Sequence, residues 1–177
     1  MERLRRFIWY LAGRLFLLLT LLSLFTVTFY YAMNATNIYI VLKDGMAKRA
    51  QVIMMEEDAS ELTKFFQSSY LQRDQNLQIA LEGKSPYTYY TVRGIDHRLK
   101  MTWMWCWPWD TTARAEFTET IPRIDGRVKS SSADAARALY GDGFEYPPKW
   151  QGGRYAATLV KENGQWRSLT LLAQVDE

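Results

Sequence analysis

The hydrophobic pattern near the amino terminus is one long apolar run. After the opening MERLRR, residues 7–33 are interrupted by a charge only at Arg14, and the nineteen residues from Leu15 to Met33 carry none. At about 1.5 Å of rise per residue, a helix of this length nearly matches a hydrocarbon core of roughly 30 Å. The pattern therefore predicts a membrane-spanning helix over residues 7–33.

A buried core helix and a cleaved signal peptide are the alternatives to an uncleaved anchor. A core helix should be amphipathic or shorter, whereas this run is apolar on every side. A signal peptide should be shorter and have small residues before the cut, which the segment YYAMNATN does not offer. Because Arg3, Arg5, Arg6 and Arg14 precede the uncharged run, the positive-inside rule predicts a cytoplasmic amino terminus.

The rest of the chain is then expected to lie outside the cytoplasm. We expect a cytoplasmic tail over residues 1–6, the membrane helix over 7–33, a juxtamembrane segment over 34–43 and an extracytoplasmic α+β domain over 44–177. Residues 43–55 admit either a hairpin turn at Asp44 and Gly45 or a helix capped by Asp44. The composition of AKRAQ favours the helix.

A second helix is predicted by a capping pattern followed by an apolar stripe. Asp58 is a suitable N-cap, and a glutamate stands three residues later, as in a capping box. Leu62, Phe65 and Phe66 then share one face at helical spacing. We expect a helix from Asp58 to about Gln72 that packs this stripe against a sheet.

Alternation at period two dominates the second half of the chain and predicts antiparallel strands. One strand is expected from Tyr89 to Trp105, with a bulge near Gly94, and its partner is the segment TTARAEFTETI. The inward-facing residues of that partner are expected to be Ala113, Ala115, Phe117 and Ile121. This half-buried pattern is typical of a sheet with one face on a core.

Two further elements close the chain. The segment ADAARALYG predicts a short helix that begins after Ser132 and ends at Gly141. Two strand-like runs then flank Asn163-Gly164, a dipeptide that favours a two-residue hairpin turn.

Four tryptophans stand at every second position of WMWCWPWD, residues 103–110. A strand would place all four indoles on one face, and the proline between the last two indicates that the strand ends there or lies at an edge. We expect Trp103 and Trp105 to be buried under the helices, because they would otherwise add to a large exposed apolar patch. Trp107 and Trp109 flank the bend, so at least one of them should be accessible to a partner or to the lipid interface.

Charge and composition limit the function classes. The first fourteen residues hold four Arg and one Glu, and this balance equals the +3 charge of the whole chain, so the remainder is neutral. A neutral domain offers no evidence for nucleic-acid binding. With one cysteine and one histidine, the sequence predicts no internal disulfide, no metal site and no cofactor.

The sequence contains no residue pattern typical of an enzyme, and we predict no catalytic residue. His97 is expected to be a partly exposed strand residue, because its charged neighbours would point to the opposite face. Cys106 lies between tryptophans, where an apolar environment raises a thiol pKa and leaves the thiol unreactive. Glu116 and Glu119 should lie on opposite faces of a strand.

The order of elements resembles a known fold family. An anchor, two helices, long strands, a short helix and the closing hairpin GRYAATLVKENGQWRSLTLL are similar to the nuclear transport factor two-like fold over about residues 44–177. The resemblance implies a curved antiparallel sheet wrapped by helices into a cone. The layout with one span also resembles bacterial assembly subunits of type IV secretion and conjugation channels, and proteins of the sporulation channel.

Those families imply a non-catalytic interaction or assembly module. The expected partners are the lipid bilayer and other membrane proteins or further copies of the chain, with no nucleic acid. Trp107 and Trp109 are the candidate interaction residues. Two alternatives stay open: a membrane-anchored domain that binds a glycan or lipid, favoured by exposed tryptophan rings, and a small-molecule enzyme, favoured by a polar pocket that holds His97 beside a carboxylate.

Overall fold

The computed structural model describes residues 2–174 and begins with one unbroken helix, α1, Glu2–Met55. Its side chains up to Met33 are almost all exposed, and this part is long and apolar enough to cross a membrane. The helix does not end there. Residues 34–43, the expected juxtamembrane segment, continue it and already contribute Asn34, Ile38 and Leu42 to the buried interior.

The carboxy-terminal part of α1 packs against the sheet as an amphipathic helix. Its buried positions recur three or four residues apart, and they are Asn34, Ile38, Leu42, Gly45, Met46, Arg49, Ala50, Val52, Ile53 and Met54. The helix predicted for residues 43–55 is confirmed, and the alternative hairpin is wrong. The helix ends at Met55, and Glu56 takes a positive φ of 56° that a helix cannot continue.

The single helix predicted from Asp58 to Gln72 is wrong, although its cap is correct. The Asp58 carboxylate accepts a hydrogen bond from Ser60 N at 2.9 Å and starts a 3₁₀ helix, Ala59–Lys64. Ser168 N then donates to Phe65 O at 2.7 Å, and Gln67 N donates to Ser168 O at 2.9 Å. Because these backbone groups bond to a strand, they cannot join an α-helical ladder. Two short helices follow, α2 (Ser68–Leu71) and α3 (Gln75–Leu81).

Within residues 2–174, six strands form two antiparallel sheets, so the α+β class is confirmed. The strands are β1 (Tyr90–Ile95), β2 (Arg98–Trp105), β3 (Thr112–Thr120), β4 (Ile124–Val128), β5 (Gly153–Glu162) and β6 (Gln165–Gln174). The larger sheet has the order β2-β3-β5-β6, and β1 pairs with β4. The single strand predicted from Tyr89 to Trp105 is therefore wrong, because it breaks at Asp96 and His97 and its halves join different sheets.

The interior lies between α1 and the inner face of the larger sheet. Leu62 and Phe66 are buried, as predicted, while Phe65 is half-buried. The inward alternation predicted for β3 is confirmed, since Ala113, Ala115, Phe117 and Ile121 are all buried.

The last predicted elements are also present. Helix α4, Ala133–Tyr140, follows Ser132 and is closed by Gly141 at a φ of 61°. The hairpin between β5 and β6 turns at Asn163 and Gly164, whose φ angles of 49° and 82° are those of the two-residue turn that Asn-Gly favours. A bulge near Gly94 is confirmed by the shifted register between Val92 and Gly94.

Candidate functional site

One extra residue in β2 decides which way the tryptophans face. The register with β3 passes from Met101, opposite Phe117, to Trp103, opposite Glu116, so Thr102 is a bulge. Because side chains alternate at period two, one inserted residue sends everything after it to the other face. Trp103 and Trp105 are therefore on the outer face, 46% and 47% exposed, and the prediction that they are buried is wrong.

The chain then bends in a compact loop that we call the tryptophan turn, residues 105–110. Trp107 N donates to the Asp110 carboxylate at 3.1 Å, and Asp110 N donates to Trp107 O at the same distance. The carboxylate thus closes the turn, as Asp side chains commonly do. The Cys106 side chain points inward and is buried, and burial raises the pKa of its thiol, as expected from the sequence.

Three indoles of the turn form one aromatic surface. Trp107 and Trp109 stack with 5.3 Å between ring centroids and 7° between planes, and Trp105 meets Trp107 edge to face at 5.2 Å. Trp107 is 44% exposed and Trp109 is 69% exposed. The expectation that at least one of these two rings is accessible agrees with both values. Ring pairs of this kind stabilise each other beyond their area of contact, so the rings present a defined shape to the solvent.

The tryptophan turn lies against α1 at the end of the apolar run. The rings of Tyr31 and Trp105 meet at 6.4 Å, and the Asn34 side-chain amide donates to Pro108 O at 3.3 Å. Both contacts fall within two positions of Met33, the last residue of the apolar run over residues 7–33. The aromatic surface therefore lies beside the junction between the exposed and the buried parts of α1.

A second polar feature is a buried ion pair between α1 and the start of α3. Arg49 donates two hydrogen bonds to the Asp74 carboxylate, at 2.5 Å from Nε and 2.9 Å from the terminal nitrogen. Burial alone would raise the pKa of the Asp74 carboxyl, but the hydrogen bonds and charge of Arg49 outweigh burial and lower it. The same partnership outweighs burial at Arg49 and raises the guanidinium pKa. Both groups are therefore charged and neutralise each other.

His97 does not lie within a strand as predicted, because it stands in the break between β1 and β2. The residue is only partly exposed, as expected, and its side chain is 6% exposed. Its Nε2 lies 3.0 Å from an oxygen of Glu119, whose side chain is fully buried, and Trp150 Nε1 donates to the other oxygen at 3.2 Å. The predicted separation of Glu116 and Glu119 is confirmed. The contact between His97 and Glu119 was not predicted from the sequence. The alternation of β3 could have indicated it, because it places Glu119 on the inner face, where a carboxylate needs hydrogen-bond partners.

A cavity of about 290 Å³ lies next to these groups, and its walls include Ile53, Tyr87, Trp150 and Tyr155. The Arg49 guanidinium lies 5.9 Å from the centre of the Trp150 ring, so that ring is close to the ion pair and also lines the cavity. Burial raises the pKa of Tyr87 to about 12 and also raises that of Tyr155, so both hydroxyls stay neutral. The cavity can hold a small molecule against aromatic walls with neutral hydrogen-bonding groups.

Comparison with family models, with curated proteins and with solved structures gave no match for this chain. Among residues 2–174, no group of three or more His, Cys, Asp or Glu side chains is placed to hold a metal ion. The functional argument therefore rests on the geometry of α1, the tryptophan turn and the buried polar groups.

Proposed function

We propose that the chain is a single-pass, membrane-anchored interaction or assembly module with an extracytoplasmic, non-catalytic domain. The observation that carries this proposal is the continuity of α1, whose exposed apolar part passes without a break into a part buried in the domain. A continuous helix transmits orientation, because a sharp kink would interrupt its backbone hydrogen bonds. A domain held in this way has a fixed position on the membrane surface.

Aromatic residues at both ends of the apolar run support a membrane span. Trp9 and Tyr10 stand at one end, and Tyr30 and Tyr31 stand at the other. Tyr10 and Tyr31 are roughly 30 Å apart along a helix axis, which matches the hydrocarbon thickness. Trp and Tyr favour both membrane interfaces, and the Arg14 guanidinium lies 4.6 Å from the centre of the Tyr10 ring, where it can reach the headgroups.

The hydroxyl groups within the run are also compatible with lipid. Thr20, Thr26 and Thr28 donate to the carbonyl oxygens four residues earlier, at 2.8 to 2.9 Å. A hydroxyl that is satisfied inside its own helix costs little when water is absent. From the four arginines before Leu15 and the positive-inside rule, we infer a cytoplasmic amino terminus.

The buried ionisable groups favour a structural over a catalytic role. Arg49 and Asp74 bind each other, and Glu119 is bound by both His97 and Trp150. Groups that satisfy each other in this way fix the packing of α1, α3 and β3. The proposal includes the nuclear transport factor two-like cone and the likeness to bacterial channel assembly subunits, with further copies or other membrane proteins as partners.

Topology and assembly are tested on the full chain in its native membrane. Reporter domains fused after Glu177 should be active only outside the cytoplasm, and the chain should resist alkaline extraction from the membrane. Photo-reactive residues at Trp103, Leu139 and Leu172, which are all well exposed, should then give at least one discrete protein adduct. A cytoplasmic carboxy terminus, or a membrane-integrated chain without any adduct, would contradict the proposal.

A small-molecule site is the second candidate function, and the placement of His97 favours it. The carboxylate of Glu119 orients the imidazole, and Glu119 also borders a surface groove with Trp150 and Gly152. An oriented imidazole is the usual form of a general base. A metabolite, glycan or lipid that raises the melting temperature of the full chain, but not that of His97→Asn, would support this function.

A further inference from the structure

Strand β2 runs back toward the exposed part of α1. Its first half lies deep in the domain, because Leu99 pairs with Glu119, which binds Trp150 beside Arg49. Its last residue, Trp105, contacts Tyr31, which is eighteen positions before Arg49 and therefore about 27 Å away along the helix. The tryptophan turn is thus at the end of the domain that faces the apolar run.

This geometry places the exposed indoles level with the interfacial end of the span. Phe29 and Tyr30 are exposed on α1 at the same level, 6.0 Å apart in an edge-to-face pair. Trp107 and Trp109 present their stacked rings nearby, on a turn bonded to Asn34. One continuous zone therefore carries aromatic residues from both the helix and the sheet.

We propose that the tryptophan turn inserts into the headgroup region of the same bilayer that holds α1. This inference rests on the proposed membrane anchoring. Indole rings favour this region because they combine a large apolar face with a hydrogen-bond donor. The domain then contacts the membrane at two places, the helix and the turn, and the two contacts together fix its rotation about the axis of α1.

The lipid surface fits this site better than a second protein for a geometric reason. The turn is bonded to α1 beside Met33, so membrane insertion of the helix brings the rings to the interface in every copy of the chain. Trp103 provides the contrast. It is exposed to nearly the same fraction as Trp107, 46% against 44%, but it lies about 7 Å farther back along the strand than Trp105.

Quenching by brominated lipid tests the inference in reconstituted full-length chain. The parent carries Trp9→Phe, which removes the indole at the other interface, and it is placed in phosphatidylcholine vesicles with or without bromine on the acyl chains near the headgroup. The bromine-dependent quenching should fall to less than half in Trp107→Phe/Trp109→Phe. The matched variant Trp103→Phe should retain nearly all of it.

Flotation of the same vesicles keeps the two proposals distinguishable. If the chain floats with the vesicles but the double variant is quenched as strongly as the parent, the turn does not touch lipid and the inference is wrong. Protection of the rings together with crosslinks between copies at Trp109 would assign the surface to a second copy and would also overturn it. A chain that does not float contradicts the membrane anchor itself.

Discussion

The side-chain amide of Asn34 donates a hydrogen bond to the backbone carbonyl oxygen of Pro108 across 3.3 Å. Asn34 is 7% exposed and is the residue at which α1 changes from an exposed apolar helix to a buried one. In the sequence, Pro108 stands between Trp107 and Trp109, whose rings stack on each other. One hydrogen bond therefore joins the base of the domain to its most exposed aromatic surface.

Replacing Asn34 with Ala should loosen the tryptophan turn. The change removes the donor to Pro108 O, and we expect the free energy of unfolding to fall by about 0.5–1.5 kcal/mol. Urea unfolding of the full chain in detergent measures the loss. Asn37→Ala is the matched control, because Asn37 is exposed on the same helix and should leave stability nearly unchanged. Equal effects of the two substitutions would contradict the role of the bond.

In α1, glycine should be required at position 45 and replaceable at position 13. A Cβ at Gly45 would lie 2.8 Å from Phe65 Cβ and 3.3 Å from Phe66 Cε2, whereas a Cβ at Gly13 meets nothing within 4 Å. We expect Gly45→Ala to destabilise the domain by about 1–3 kcal/mol, despite the better helix propensity of Ala. Gly13→Ala should not lower the melting temperature. If Gly45→Ala were stabilising, the close packing of α1 on Phe65 would be wrong.

Trp103 and Trp105 face outward and not inward as predicted, and the reason is a change of phase that the sequence pattern does not show. The segment LKMTWMW contains two phases of alternation, with Leu99 and Met101 inward before the bulge and Met104 inward after it. A single residue, Thr102, changes the phase, and threonine is an ordinary strand residue that does not mark a bulge. The local period correctly predicted extended structure in this segment, but the face depended on a register that only the pairing with β3 defines.

Long-range pairing explains the other differences as well. The helical stretches over residues 7–33 and 43–55, the alternation of β3 and the Asn-Gly hairpin depend on neighbours in the sequence, and all of them were predicted; the continuity of α1 through residues 34–43 was not. The break after Phe66 depends on a bridge to Ser168, and the partner of Glu119 depends on a turn that brings His97 over β3. Such contacts join residues that are distant in the sequence, and no local propensity encodes them.

Replacing a buried tryptophan should cost the domain much more stability than replacing an exposed one. Trp166 is 3% exposed, and Trp166→Ala should cost about 3–5 kcal/mol as the removal of a buried ring does. Trp103→Ala should cost much less, since nearly half of that side chain already contacts solvent. Thermal unfolding of the full chain in detergent compares the two variants. A larger loss for Trp103→Ala would mean that its ring, and not that of Trp166, supports the interior.

The buried pair of Arg49 and Asp74 should dominate the acid sensitivity of the domain. The pKa of Asp74 is lowered in the folded chain, so this carboxylate stabilises the fold above its ordinary pKa of about 3.9, and the contribution is lost as the pH falls toward the lowered value. Asp74→Asn leaves a buried guanidinium without its counter-charge. It should therefore cost about 3–5 kcal/mol at neutral pH and make stability depend less steeply on pH in the acid range.

An exposed pair of the same chemistry provides the control for this prediction. Arg98 also binds an aspartate through two hydrogen bonds, at 3.2 Å and 2.6 Å to Asp96, but both side chains are in solvent. Water screens such a pair. Asp96→Asn should therefore change little, both in the stability at neutral pH and in the slope of stability against pH in the acid range. The measurement is the free energy of unfolding of each full-length variant as a function of pH. If Asp74→Asn kept the same dependence of the free energy of unfolding on pH as the parent chain, other carboxylates would be the cause of the acid sensitivity.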